Sequence, residues 1–433
     1  MTDLLPVMPR YEGYKDSGVE WIGEIPKDWN IEKIKYLFKI GRGRVISQEE
    51  LEEFGLYPVY SSQTKDGGLL GFINSYDYNC KQITWTTDGA NAGTVFLREG
   101  KYNCTNVCGT LQAFSKNLSM EYLSFALGVG TLFYKRPDTN GAKIMNGEMA
   151  EIKVPSPPFQ EQTTIANFLN CKTAKIDQAV AIKEKQIRLL KERKQILIQT
   201  AVTKGLEPNV PMADSGVEWI GEIPAHWGVV TLKRVALFIQ TGPFGAELHT
   251  HDYVENGTPL INPKHMNEGN ILPDPSCSVD DSTKERLNKY ALVENDLILA
   301  RRGEMGRAAV ITTKEAGWLC GTGSIIIRLK QRTFNSHFLF RLISDIGFIE
   351  TLKLDSVGST MDNINSSIVG NLVFPIPPYQ EQNQIVSHIE TQSAKIDRAI
   401  AIQAQMIEKL KEYKATLINA AVTGKIKVPD GRE

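Results

Sequence analysis

Two stretches of the chain carry the same apolar rhythm. In the first, Leu169, Ile176, Val180, Ile187, Leu190, Leu197 and Ala201 step by three, four or seven. The second repeats it with Ile389, Ile396, Ile400, Ile407, Leu410, Leu417 and Ala421. This is a heptad seam, the pattern of helices that bury one stripe against a partner helix. Neither 161–203 nor 381–423 contains Pro or Gly. Pro157-Pro158 and Pro377-Pro378 precede them, where proline is tolerated, and Gly205 and Gly424 follow, where helices are capped. A helix of about 42 residues is roughly 63 Å long and cannot bury its seam alone. The simplest arrangement pairs the two helices with each other. Lys183, Lys194, Gln403 and Lys414 interrupt the seam, as residues that fix register and partner do.

Residues 30–155 and 228–375 follow a different pattern. Short β-rich runs such as Gln82–Trp85 and Gly323–Ile327 alternate with Gly, Asn and Asp turns, and helical stretches follow at Met120–Leu127 and Ser336–Ile343. These regions read as mixed α/β domains.

The two patterns belong to a tandem repeat. DSGVEWIGEIP occupies residues 16–26 and again 214–224, an offset of 198, and Trp29 corresponds to Trp227. Pro158-Phe-Gln-Glu-Gln162 matches Pro378-Tyr-Gln-Glu-Gln382 at an offset of 220, so the second copy gained 22 residues in between. Inside, only weak echoes survive, such as Cys108-Gly109-Thr110 against Cys320-Gly321-Thr322. A chain that fixes its frame and varies its interiors uses the frame for a shared partner and the interiors for two targets.

Composition narrows the function by exclusion. The 433 residues, 42% hydrophobic and 23% charged, exclude wholesale disorder and leave room for two to four domains. No run approaches a membrane span, and the N-terminus lacks the pattern of a secretory signal, so a cytoplasmic protein without membrane contact is expected. The net charge of −1 argues neither for nor against nucleic acid. Local excess does exist: residues 161–205 hold nine Lys and Arg against four Asp and Glu. The six cysteines lack CxxC spacing and read as reduced thiols. Neither Cys104 with Cys108 nor His249 with His251 has a second pair placed to complete a metal site, so no metal is expected.

Enzyme motifs fail in turn. No GxxxxGK[ST], GxSxG or HExxH pattern occurs. Ser156-Pro157-Pro158-Phe159 has the form of the polar-Pro-Pro-aromatic motif of amino-methyltransferases, but the second copy reads Ile376-Pro377-Pro378-Tyr379 and no glycine-rich cofactor loop precedes either. Proline entry into a long helix explains both.

Glycine-bearing polar loops are the candidates for binding. Ser61–Gly68, Thr241–Gly245 and Ala300–Arg307 stand out, the last with three arginines beside two glycines. Arginine grips phosphate and reads guanine edges with a bidentate fork.

Taken together, two divergent domains, each followed by PP-aromatic-QEQ and a long helix ending near AVTKG or AVTGK, resemble the specificity subunit of type I restriction-modification systems. WIGEIP followed shortly by Trp adds to the resemblance, which spans about residues 16–427. It implies target-recognition domains at 16–158 and 214–378, each reading half of a bipartite, asymmetric site in double-stranded DNA. The helices, 159–205 and 379–427, would form an antiparallel coiled coil that sets the spacer and docks two modification subunits. Those subunits would bind S-adenosylmethionine and methylate adenine, and restriction subunits would cut. The chain itself would be non-catalytic and hold no cofactor. By residue type and loop position, Ser62, Gln63, Lys65, Lys135, Arg136 and Lys143 are the DNA-contact candidates in the first domain, and Phe244, Lys264, Arg301, Arg302 and Arg307 in the second. Competing readings are a scaffold with two variable heads and a stand-alone DNA methyltransferase.

Overall fold

The structure, a computed structural model, describes residues 8–139, 141–303, 306–344, 348–349 and 364–429. It is a mixed α and β protein with two compact units, residues 1–185 with 403–433, and residues 186–402. Each unit contains one repeat interior and a stretch of both long helices. The central helix runs Phe159–Lys204 and the C-terminal helix Tyr379–Val422. No helix among the described residues is long and apolar enough to cross a membrane.

In the first unit a four-stranded antiparallel sheet has the order Val95–Arg98, Gln82–Thr86, Cys108–Ala113, Phe38–Arg42. Its central strand, Gln82–Thr86, is buried along its whole length, as expected of a strand covered on both faces. Trp85 lies at the centre, its indole N–H donating to the Ile144 carbonyl at 2.9 Å. Gly109 faces it across the pair, and a Cβ there would sit 2.1 Å from the ring, so only glycine admits this tryptophan. A second sheet orders Leu69–Ile73, Tyr57–Tyr60, Lys101–Cys104, Tyr78–Asn79. Helix Met120–Tyr134 packs Tyr122, Leu123, Ala126 and Leu127 into the core.

The second unit repeats this plan. Its main sheet orders Ala236–Thr241, Ser324–Leu329, Leu297–Ala300, Ala308–Val310, and helix Ser336–Ile343 covers it. Register gives the equivalences. Arg42 faces Gly109 as Thr241 faces Ile325, and Thr86 faces Cys108 as Ala300 faces Ser324. Tyr60 pairs in parallel with Cys104 as Ile261 does with Cys320. The offset is therefore 201 at Tyr60 and 214 at Thr86, so most of the extra length enters between Ile261 and Ala300, where the second unit builds helix Asp281–Arg286. The same register corrects the cysteine echo. The counterpart of Cys320 is Cys104, and the place of Cys108 is taken by Ser324. The two Cys-Gly-Thr triplets thus begin four residues apart in the structural register.

The frame residues do the same work twice. Trp29 donates its indole N–H to Glu161 at 3.0 Å, and Trp227 donates to Glu381 at 3.0 Å. Gln162 accepts from the Ser119 N–H at 3.0 Å and donates to the Pro157 carbonyl at 2.9 Å. Its twin Gln382 accepts from Asn335 at 2.7 Å and donates to Pro377 at 2.9 Å. Ser119 and Asn335 are the N-caps of the two domain helices, so each glutamine ties the start of a long helix to the start of a domain helix. The motif Gln-Glu-Gln is thus structural in its second and third residues, while Gln160 and Gln380 are exposed.

Within each unit the long helices run antiparallel. In the first, Asp177 meets Lys414, while nearer the ends Tyr122 lies 3.1 Å from the carbonyls of both Pro155 and Val422. In the second, Lys194 meets Asp397, and Gly205 lies against Trp227 and Glu381. Gly205 and Gly424 have φ of +74° and +70°, the left-handed conformation that ends a helix. Ile187, Leu190 and Leu197 are only half-buried, because one partner helix covers one side of a seam.

Candidate nucleic-acid interface

The first unit's sheets place their strand ends and turns together. After Tyr60 the chain turns through Ser61–Gly68, and the Ser61 N–H donates to the Gly68 carbonyl at 2.9 Å. Asp66 and Gly67 both have positive φ. Thr105 donates its N–H to the Tyr60 carbonyl at 2.9 Å and its hydroxyl to Ser61 at 3.1 Å. Two residues on, the Val107 carbonyl accepts from Thr87, whose own carbonyl accepts from Ile144. A hairpin of Arg136–Asp138 and Gly141–Lys143 joins the Asp88–Gly89 strand. Hydrogen bonds thus connect the Ser61–Gly68 loop to the hairpin, the two segments that hold the first-domain candidates other than Lys135.

Their side chains differ in freedom. Ser62 is half-buried, Gln63 and Lys65 are exposed, and Gln63 donates to the Leu69 carbonyl within its own loop. Lys135 is exposed at the end of helix Met120–Tyr134. Arg136 pairs with Glu148 at 2.8 Å and Lys143 with Asp138 at 3.1 Å. Glu148 lies below the usual carboxylate range through its backbone bonds and Arg136, which outweigh its burial.

In the second unit three loops meet around Gly321–Ser324. Gly242 donates its N–H to the Ser324 carbonyl at 2.9 Å, and a Cβ on Gly242 would reach within 2.0 Å of the Gly321 carbonyl oxygen. Asn262 accepts from the Gly323 N–H at 3.0 Å, and Arg301 donates its N–H to the Gly323 carbonyl at 2.9 Å. Phe244, Lys264, Arg301 and Arg302 are therefore carried on adjoining loops, and Arg307 reaches the Pro263 carbonyl at 3.4 Å. Phe244 is 60% exposed on its loop. Lys264 pairs with Asp274 at 2.6 Å, which pushes the carboxyl well below its ordinary range. Arg301 is half-buried, and burial followed by neighbouring Arg302 pulls its guanidinium pKa down. Arg302 is exposed; Glu304 and Met305 of the same loop lie outside the described residues.

This is a duplicated scaffold with two dissimilar loop sets, and comparison with known proteins gives the same picture. A family model described as the type I restriction modification DNA specificity domain matches twice, over residues 26–192 and 224–412. The chain belongs to this family.

The MjaVIII specificity subunit of a type I restriction enzyme from Methanocaldococcus jannaschii is 28% identical over 425 residues, covering 93% of this chain and 94% of that one. A putative type I specificity subunit of Mycoplasma pneumoniae is 41% identical over 138 residues, covering 32% of this chain and 38% of its own length. Among solved structures, a chain from a study of assembly and conformational transition of the type I restriction-modification system has a TM-score of 0.67. It is 14% identical, with 92% of this chain and 98% of that one covered. The specificity subunit of Thermoanaerobacter tengcongensis has a TM-score of 0.52 at 15% identity, covering 93% and 98%. As a specificity subunit, the chain belongs to a family whose role is recognition and not catalysis.

Basic residues beyond the sequence candidates also stand near these loops. Gly41-Arg-Gly-Arg44 closes the edge strand of the first specificity domain, and Arg42 donates to the Asn106 carbonyl. Arg44 pairs with Glu50 at 2.7 Å and Asp77 at 3.2 Å. Alternation of Gly and Arg over 41–44 is the sequence signal for them. His265 is buried beside Lys264, with Nδ1 accepting from the Asn262 N–H at 3.1 Å, and its pKa is lowered by burial and then by Lys264. It organises the 262–265 turn.

Proposed function

We propose that this specificity subunit reads double-stranded DNA as two half-sites, one per unit. The observation that carries this reading is the pairing of equivalent scaffolds with unlike loops: Ser61–Gly68 and the 136–143 hairpin on one, and the 242–245, 262–265 and 300–307 loops on the other. Two copies of one target would need one loop set. The asymmetry of the loops corresponds to an asymmetric bipartite site. Lys65, Lys135, Arg136, Lys143, Lys264, Arg302 and Arg307 would contact phosphates or base edges, Arg301 would brace its loop, and Ser62, Gln63 and Phe244 would meet base edges.

The recognition domains in this proposal are 16–158 and 214–378. The helices 159–205 and 379–427 set the spacer and dock two modification subunits, with restriction subunits joining the complex in the cytoplasm. Leu189 and Ile196, one heptad apart, are about half exposed on the second unit's stretch of the central helix. Apolar residues in that rhythm on an outer face suit a further helix from a partner.

Methylation mapping on DNA from cells expressing this chain with its modification subunit tests the reading. Two short motifs at one fixed separation are expected. Methylation without any paired motif overturns it.

A further inference from the structure

Arg98 is an unusual residue for its position. It ends the edge strand Val95–Arg98 and is 9% exposed. Its guanidinium lies 3.6 Å from the Tyr60 ring centre and 4.3 Å from that of Phe96. Nη2 donates to the Gly67 carbonyl at 2.5 Å, and Nε has no hydrogen-bond partner among the described residues. No carboxylate of the described residues lies within ion-pair distance. Burial pulls its pKa down.

Such a placement is costly. A buried arginine is ordinarily matched by a carboxylate. Here the compensation comes from aromatic faces and one carbonyl, and that carbonyl belongs to the Ser61–Gly68 loop. The loop needs external support. Asp66 has φ of +50°, unfavourable for a residue with a Cβ, and Gly67 and Gly68 follow at +64° and +88°. Gly68 is packed so closely that a Cβ would stand 2.9 Å from the Gln63 carbonyl and 3.1 Å from Arg98 Nη2.

The duplication supplies an internal control. Arg98 faces Gln82, the residue before Ile83; in the second unit the residue before Leu297 is Asp296, and Ile311 bonds to it. Ile311 thus stands in the place of Arg98 and is an ordinary buried core residue. The scaffold does not require an arginine there. The loop above differs between the units, and so do the two rings that hold the guanidinium, Tyr60 and Phe96, whose places are taken by Ile261 and Ala309.

We propose that Arg98 is a positioning residue for the first half-site, holding the Ser61–Gly68 loop in its reading conformation from beneath. Ser62, Gln63 and Lys65 would present themselves to DNA through this clamp, while Arg98 stays out of contact with bases. Lysine cannot replace it, because a compact ammonium lacks both the planar face that stacks between two rings and the fork that reaches the carbonyl. The proposal rests on the DNA reading above.

Two measurements on Arg98→Lys test it. In the chain alone, hydrogen exchange at the Ser61 amide, which donates to Gly68, should quicken at least tenfold, with exchange in strand Leu297–Ala300 unchanged. In complex with the modification subunit, base discrimination at the first half-site should relax about tenfold, roughly 1.4 kcal/mol, with the second half-site unaltered. A merely structural role would weaken both half-sites together or neither. Arg98→Met, uncharged and of similar reach, serves in its place if Arg98→Lys does not fold. Unchanged exchange at Ser61, or unchanged discrimination at the first half-site when the wild type reads a paired motif, overturns the role of Arg98 alone. A wild-type complex that reads no paired motif overturns the DNA reading as well.

Discussion

Lys194 of the first repeat holds both carboxylate oxygens of Asp397 of the second, at 2.8 and 2.7 Å. The repeat offset of 220 turns this pair into Asp177 and Lys414, which bond at 2.7 and 2.6 Å. Lys194 and Lys414 are therefore reciprocal cross-links between repeats. Both aspartates are more than half exposed, so each pair contributes about 0.2–1 kcal/mol and is screened by salt. Asp177→Asn with Asp397→Asn should lower the urea midpoint at low salt and have almost no effect at 1 M NaCl. A loss independent of salt would assign the aspartates another role.

The tryptophan–glutamate pair invites a sharper test. Trp29 is almost wholly buried, and Glu161 is the acceptor for its indole N–H as well as for the Tyr11 hydroxyl at 2.6 Å. Glu161→Ala leaves a buried donor unpaired, at a cost of about 1–3 kcal/mol. Glu161→Gln, which keeps an acceptor, should lose less. Thermal melts should rank them in that order, with Glu381→Ala matching Glu161→Ala.

Asp296 and Arg328 form a buried pair, 2.6 and 2.7 Å between their atoms, with Arg328 stacked on Phe238. Asp296→Asn should cost about 3 kcal/mol, the low end for a broken buried pair because Arg328 keeps some solvent contact. The first unit carries Gln82 and Gln112 at the equivalent positions. The double variant Asp296→Gln/Arg328→Gln should therefore recover most of the loss in a denaturant titration. No recovery would mean that the two scaffolds have diverged at this point.

Lys264 separates the phosphate contribution from sequence reading. Lys264→Ala should weaken binding to all duplexes alike and reduce the slope of log K against log salt by about 1. Asp274→Asn, which releases Lys264 from its ion pair, should tighten binding at low salt. Fluorescence anisotropy across a salt series reads both, and a change confined to one sequence would make Lys264 a base reader.

Inserting one heptad at equivalent points of both helices adds about 10.5 Å of helix, close to three base pairs at 3.4 Å each. Methylation mapping should show a spacer longer by about that amount and the same half-sites. Altered half-sites would sink the idea of a ruler.

The helices were legible in the sequence because an uninterrupted heptad is a local signal and the glycines that stop it need a left-handed backbone. The duplication was legible because WIGEIP and QEQ residues contact the frame and not the loops. Strand equivalence was less so: Cys320 matches Cys104 through parallel pairing with Ile261 and Tyr60, which no triplet comparison contains. Candidate charges were only half legible. Arg136, Lys143 and Lys264 have carboxylate partners 5 to 12 positions away, and whether such neighbours pair depends on the turn between them. Arg98 was invisible, since Tyr60 and Gly67 reach it only after the sheets form.

The ends of the long helices carry one last implication. Gly424 closes on Trp29 of the first repeat and Gly205 on Trp227 of the second, through residues that the duplication kept identical. The fittings that seat a domain on its helices are thus standard parts, and the strands and loops between them are free cargo. On the proposed two-half-site reading, a recombination event that replaced one interior between its tryptophan, Trp29 or Trp227, and the following QEQ would import a new half-specificity and leave these joints in place. Genes built on this plan can change what their product recognises in a single step, by trading cassettes instead of accumulating point mutations.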